Sequence, residues 1–189
     1  MTDLQVQAIW DSGAMPSNVT AGIGVRISGP HAFRRIRSTE PDALVIGSYT
    51  TLESVQFSIA PGARVSIGDY CCFTAAVVMS ECRISIGSYV LIGFNTVIAD
   101  SDFHPLDPAK RLIDAIACSP DGGKTPRPAV EAKSVVIEDD VWIGPACVIL
   151  KGVHIGRGAW IAPGSMVTHD VPAESYVGGN PARVMERPQ

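Results

Sequence analysis

From Ile137 onward an aliphatic residue returns at every sixth position: Ile137, Ile143, Ile149, Ile155, Ile161 and Val167. Two residues before each of the last five stands a small or β-branched residue, Val141, Cys147, Val153, Ala159 or Ser165. Side chains on a strand alternate faces, so positions two apart point the same way. Each hexad therefore offers one large and one smaller inward residue, with an outward residue between them. Turn formers follow the aliphatic position, as in Gly144-Pro145, Gly156-Arg157 and Ala162-Pro163-Gly164. A helix is excluded, because a six-residue period would march the apolar positions around a turn of about 3.6 residues. The pattern predicts short strands joined by tight corners.

The same period continues upstream. Ile86, Ile92 and Ile98 keep it, with Ile84, Val90 and Thr96 as smaller companions; Ile67, Phe73 and Met79 form another set beside Val65, Cys71 and Val77. Ile46 and Leu52 begin a weaker one. Sets separated by about three hexads imply a triangular coil that gives one strand to each of three parallel sheets. Slips, as between Met79 and Ile86, read as bulges or longer corners. The expected fold class is all-β, a parallel β-helix of hexapeptide repeats spanning residues 44–185. Residues 1–43 carry no clear period beyond a strand-like Gly22–Ile27 and form an N-terminal segment without assigned structure. An excursion over residues 99–134, rich in proline (Pro105, Pro108, Pro120, Pro126, Pro128), interrupts the repeat. Loops beyond about 12–15 residues in compact domains are usually functional or disordered. After Val171 the chain leaves the coil as a tail or a short helix opened by Pro181.

Chemistry concentrates where the repeat breaks. His104 falls six positions after Ile98, where the register demands an aliphatic residue. Imidazole titrates near neutral pH and can take a proton from an attacking hydroxyl. Asp100 and Asp102 stand close by in sequence and could fix its other ring nitrogen, as could a backbone carbonyl. Around it, Asp102-Phe-His-Pro-Leu-Asp107, Asp140-Val-Trp-Ile-Gly144 and Val171-Pro with Gly178-Gly-Asn-Pro-Ala-Arg183 resemble the sugar O-acetyltransferases of the hexapeptide superfamily. These are the maltose, galactoside and nodulation-type enzymes, and the resemblance runs over about residues 44 to 185.

The resemblance implies a left-handed coil, a homotrimer with sites between subunits, and acetyl-CoA as donor for direct transfer to a hydroxyl. The left hand comes from the resemblance alone, since parallel crossovers are ordinarily right-handed. It makes His104 the general base and places Trp142, Gly144, Pro145, Ala162, Pro163, Thr168, His169 and Arg183 along the coenzyme. Arg183 suits the 3′-phosphate, as a guanidinium matches that geometry. His169 stands where the family commonly has lysine, which weakens the charge there. Glu81 and Asp102 are the acceptor-side candidates. Cys72 and Thr74 do not reproduce the family's tyrosine and asparagine, so a different acceptor from the simple sugars is expected. Xenobiotic O-acetyltransferases and amino-sugar N-acetyltransferases are the alternatives.

Composition narrows the partners. Hydrophobic residues make up 46% and charged residues 18% of the 189, which suits a compact or associating chain. A net charge of −4 gives no reason to expect nucleic acid or an anionic membrane. No apolar run approaches the roughly 18 residues of a membrane span. Met1–Gln5 lacks the start of a signal peptide, and the five cysteines show no C-x-x-C spacing, so a cytoplasmic setting with free thiols is expected. A metal enzyme on this repeat needs three converging histidines. With His31, His104, His154 and His169 and no paired spacing among them, no metal is expected.

Overall fold

The structure, a computed structural model, describes residues 8–187; Met1–Gln5, read above for a signal peptide, lies outside them. Short parallel strands stack into three sheets, and each turn of the chain contributes one strand to each. The first sheet has nine strands and carries Thr51–Glu53, Cys72–Thr74, Leu91–Ile92, Trp142–Ile143 and Trp160–Ile161 in that order. The second has six and runs Arg35–Ile36, Gln56–Ile59, Val77–Ser80, Val97–Ala99, Val148–Ile149 and Met166–Val167. The third, also six-stranded, ends in Val135–Ile137 and His154–Ile155. Inward residues lie in register, so that Leu52 pairs with Phe73, Ile143 with Ile161, and Ile149 with Val167. They fill one continuous apolar core along the coil.

The corners between strands stack backbone on backbone. Gly47 and Gly68 stack so tightly that a Cβ on Gly47 would lie 2.4 Å from the Gly68 carbonyl carbon. Buried Thr50 and Thr96 bridge successive coils by donating to Gly68 O at 3.0 Å and Gly144 O at 2.9 Å. Each satisfies corner backbone that burial would otherwise leave unpaired.

The structure differs from the sequence pattern in four places. The coil begins upstream of residue 44: Val19–Ala21 pairs with Leu44–Ile46, Arg26–Ser28 with Thr51–Glu53, and Arg35–Ile36 with Ser58–Ile59. These early turns escape the period because their corners vary in length, which dephases the inward positions. Near residue 78 the inward register is shifted by one. Val78 and Ser80 point inward, and Val77 and Met79 outward, because the corner after Phe73 is one residue short of the hexad. The excursion contains a helix, α1 (Pro108–Ala117), so the fold is not wholly β. Asp107 caps it by accepting from Lys110 N at 2.9 Å, with Pro108 opening the first turn. The C-terminal tail is not helical: Tyr176–Gly179 and Ala182–Met185 form an antiparallel hairpin on the first sheet.

Candidate active site

The excursion leaves the coil through a clamped base. Buried Asp100 accepts from Ser80 Oγ and Glu81 N, both at 2.7 Å, and from Cys82 N at 3.0 Å. Ser101 bridges to Ala132 on the returning limb, and Lys151 Nζ donates to Asp102 at 2.5 Å and reaches Glu131 at 3.0 Å. Both aspartates are thus spent on the loop's base. Neither carboxylate bonds the His104 ring, and that of Asp102 is committed to a lysine rather than left free for an acceptor.

The histidine's partner is Asp114. His104 Nδ1 and Asp114 Oδ2 lie 2.6 Å apart, and Arg127 clamps the same carboxylate with Nε at 2.6 Å and Nη2 at 3.1 Å. Arg127 Nη2 also donates to Phe103 O at 3.3 Å, tying the triad to the residue before the histidine. Asp114 is the buried residue of α1, so the helix turns a carboxylate inward. The hydrogen bonds from Arg127, then from His104, hold its carboxyl down to about 2 despite burial. An ionised carboxylate only accepts, so the proton on the imidazole belongs on Nδ1 and the lone pair on Nε2. His104 is more than half exposed and presents that nitrogen to a cavity of about 440 Å³.

That cavity sits on the outer face of the second sheet. It is lined by His104, Phe103, Ser58, Ser80, Ser101, Met79 and Glu81, with Arg34, Arg35, Arg37 and Arg127 around it. Glu81 therefore joins His104, with Arg37 3.6 Å from its carboxylate. None of the coenzyme candidates lines it. They form two other groups. Trp142 and Trp160 stack at 4.6 Å on the first sheet, continued by Tyr176 at 4.7 Å from Trp160. The Gly144-Pro145 and Ala162-Pro163 corners lie beside them, packed so closely that a Cβ on Gly144 would meet Pro163 N at 2.8 Å. His169 and Arg183 line a separate cavity of about 360 Å³ between the second sheet's edge and the hairpin. Thr168 Oγ1 lies 2.8 Å from His169 Nδ1, so those neighbours bond each other. His154 bonds Glu138 at 2.9 Å on the third sheet, and His31 lines a different cavity from His104. Among the described residues no three His, Cys, Asp or Glu side chains gather as a metal site.

Sequence reasoning missed Asp114, Arg127 and the arginines of the 34–37 segment. For Asp114 a signal was present: Asp107-Pro108 is a helix start, and a lone carboxylate sits among Leu112, Ile113 and Ile116.

Comparison with known proteins agrees with this fold. The bacterial transferase hexapeptide family, of six repeats, matches residues 134–169. A hexapeptide-repeat acetyltransferase from Vibrio cholerae is 30% identical, with 82% of this chain and 75% of that one aligned at a TM-score of 0.58. A maltose O-acetyltransferase from Clostridium difficile is 26% identical over 76% of this chain and 68% of its own, also at 0.58. A 2,3,4,5-tetrahydropyridine-2,6-dicarboxylate N-acetyltransferase from Staphylococcus aureus is 54% identical over 56 residues, 30% of this chain and 23% of that protein. The chain thus spans under a quarter of the length of the curated relatives it matches. It belongs to the hexapeptide-repeat acetyltransferases, and its fold is their left-handed parallel β-helix.

Proposed function

We propose that the protein transfers an acetyl group from acetyl-CoA to a hydroxyl of a small sugar-like molecule, with His104 as general base. The carrying observation is the His104–Asp114–Arg127 arrangement at the mouth of a cavity of small-molecule size. His104 Nε2 takes the proton from the acceptor hydroxyl as its oxygen attacks the thioester carbonyl carbon. The carbon–sulfur bond then breaks, and the imidazolium returns the proton to the departing thiolate. Asp114 stabilises the imidazolium and holds the ring, while Arg127 fixes Asp114. Glu81, which lines the same cavity beside Arg37, is an acceptor contact in this reading, whereas Asp102 is engaged with Lys151. A nitrogen acceptor is the second reading. Its support is a relative 54% identical over 56 residues that is named an N-acetyltransferase, and the same base would serve.

On the donor side, exposed backbone at Gly144-Pro145 and Ala162-Pro163, the Trp142 ring and the Arg183–His169 cavity suit an extended coenzyme ending in phosphate. The separation of these groups from His104 within one chain supports a site completed between subunits of a homotrimer. The test is a screen of hydroxyl and amine acceptors with acetyl-CoA, reading released thiol. His104→Ala should lower turnover by about 10²–10⁴-fold and leave coenzyme binding nearly unchanged; full turnover without His104 would remove it from the mechanism.

A further inference from the structure

We infer that the acceptor is an anion, and that Arg34 and Arg35 bind its carboxylate or phosphate a short distance from the hydroxyl that His104 activates. This rests on the acceptor side of the proposed function being the His104 cavity. A second cavity of about 360 Å³, reaching Gln56 and His31, shares Arg34, Arg35, Ser58 and Met79 with the first. The two make one groove along the second sheet, with His104 at one end and the two arginines at its waist.

Four arginines line the cavity that holds His104, and two are spoken for. Arg127 is spent on Asp114, and Arg37 lies against Glu81. No ion pair among the described residues takes Arg34 or Arg35. The backbone that carries them is fixed by its neighbours. Phe33, buried between them and the core, packs on Trp10 at 4.8 Å and Phe57 at 6.3 Å, and Ala32 O accepts from Phe57 N at 2.9 Å. Both arginines line both cavities, so their positive charge faces the shared groove with no counter-charge among the described residues paired to it, which favours an anion there. The chain as a whole is negative at −4, so this local excess does not follow from general composition. Arg35 lies on the sheet's edge strand, three strand spacings or about 14 Å from Val97–Ala99. An arginine side chain closes about half of that, which sets the anionic group several bonds away from the reacting hydroxyl. Ser58, part-exposed on the outer face of the sheet, offers a hydroxyl between the two ends, whereas Ser80 is spent on Asp100.

The test uses the full chain and matched probes: D-glucuronate against its neutral amide, and glucose 6-phosphate against glucose. Binding is measured by titration calorimetry, and thiol release is followed with acetyl-CoA. At least one charged probe should bind about 10–100-fold tighter than its neutral partner, and added salt should shrink that ratio. The two pairs separate a carboxylate site from a phosphate site. In the double variant Arg34→Gln, Arg35→Gln the ratio should collapse toward one, while Arg157→Gln, on the far third-sheet side, should keep it. Equal affinity within both pairs, no measurable binding of either charged probe, or a preference surviving the double variant would overturn the proposal. If the preference is present and lost in the double variant but no thiol is released with any acceptor, the anion site stands and the transferase reading fails.

Discussion

Asp114 decides how the histidine behaves, and it does so from a helix that otherwise turns apolar residues to solvent. Because Arg127 and His104 hold its carboxyl near 2, below an ordinary carboxylate at about 3.9, it stays ionised throughout the neutral range. The sign follows: the stability it contributes is complete above about pH 4 and is lost as pH falls toward 2. Arg127→Gln removes the largest cause of that depression and should move the loss to higher pH. Hydrogen exchange across residues 103–127, measured as a function of pH, would show it. Asp114→Asn keeps the shape but no longer fixes the tautomer, and turnover should fall by roughly 10²-fold or more with coenzyme affinity kept. Unchanged turnover would leave Asp114 with a purely structural part. His104 was legible in the sequence because it breaks a period. Asp114 showed only as a lone carboxylate in an apolar run after a helix start; its partnership with His104 spans ten residues across a turn whose geometry no period encodes. Arg34 and Arg35 were hidden for a related reason, in a segment whose corners differ in length from the hexad.

At the scale of elements, the coil was readable wherever corners keep to the hexad, from Ile84 to Ile98 and from Val135 to Val167. It blurred where a corner gained or lost a residue, as before Val78. The sequence leaves the tail open between an irregular end and a short helix because Gly178-Gly-Asn-Pro is as good a hairpin turn as a helix start, and pairing against Trp160–Ile161 decides for the hairpin. One corner series makes a prediction of its own. Tyr49, Tyr70 and Tyr89 stack at 5.0 and 5.5 Å, each with positive φ, 57°, 56° and 62°. Left-handed backbone is costly for a bulky residue, while stacked rings contribute about 0.5–1.5 kcal/mol. Tyr70→Ala loses both stacking contacts and keeps the strain; Tyr70→Gly loses the contacts but relieves it. The glycine variant should therefore melt above the alanine variant, the reverse of the usual order in a strand or helix. An alanine variant as stable as glycine would show that the backbone there is not strained. The hairpin carries another: Arg183→Ala should weaken acetyl-CoA binding but barely affect the 3′-dephospho form, and equal losses would give the arginine a different task.

At the scale of the whole molecule, the core is complete within one chain, yet apolar surface remains. Leu106, Leu112, Ile113 and Ile116 are 72%, 65%, 45% and 50% exposed on and beside α1, and Leu91 and Trp142 stand out on the first sheet at 48% and 41%. Apolar residues clustered on an exposed helix face or sheet face are what a subunit contact would cover. Three flat sheets meeting at corners give faces that can close around a threefold axis without an open end. The same closure would bring the Trp142 face or the Arg183 cavity of one subunit against the His104 groove of another, groups that a single chain keeps apart. Two substitutions probe the two patches separately. Trp142→Glu puts a charge on the first sheet, and Leu112→Glu puts one on α1, away from Asp114. If the patches are subunit contacts, each variant should shift sedimentation at assay concentration from trimer toward monomer and lose activity in parallel. Circular dichroism should be unchanged, because neither side chain fills the core. A wild-type chain that sediments as a monodisperse monomer with full transferase activity would sink both the trimer and the shared site.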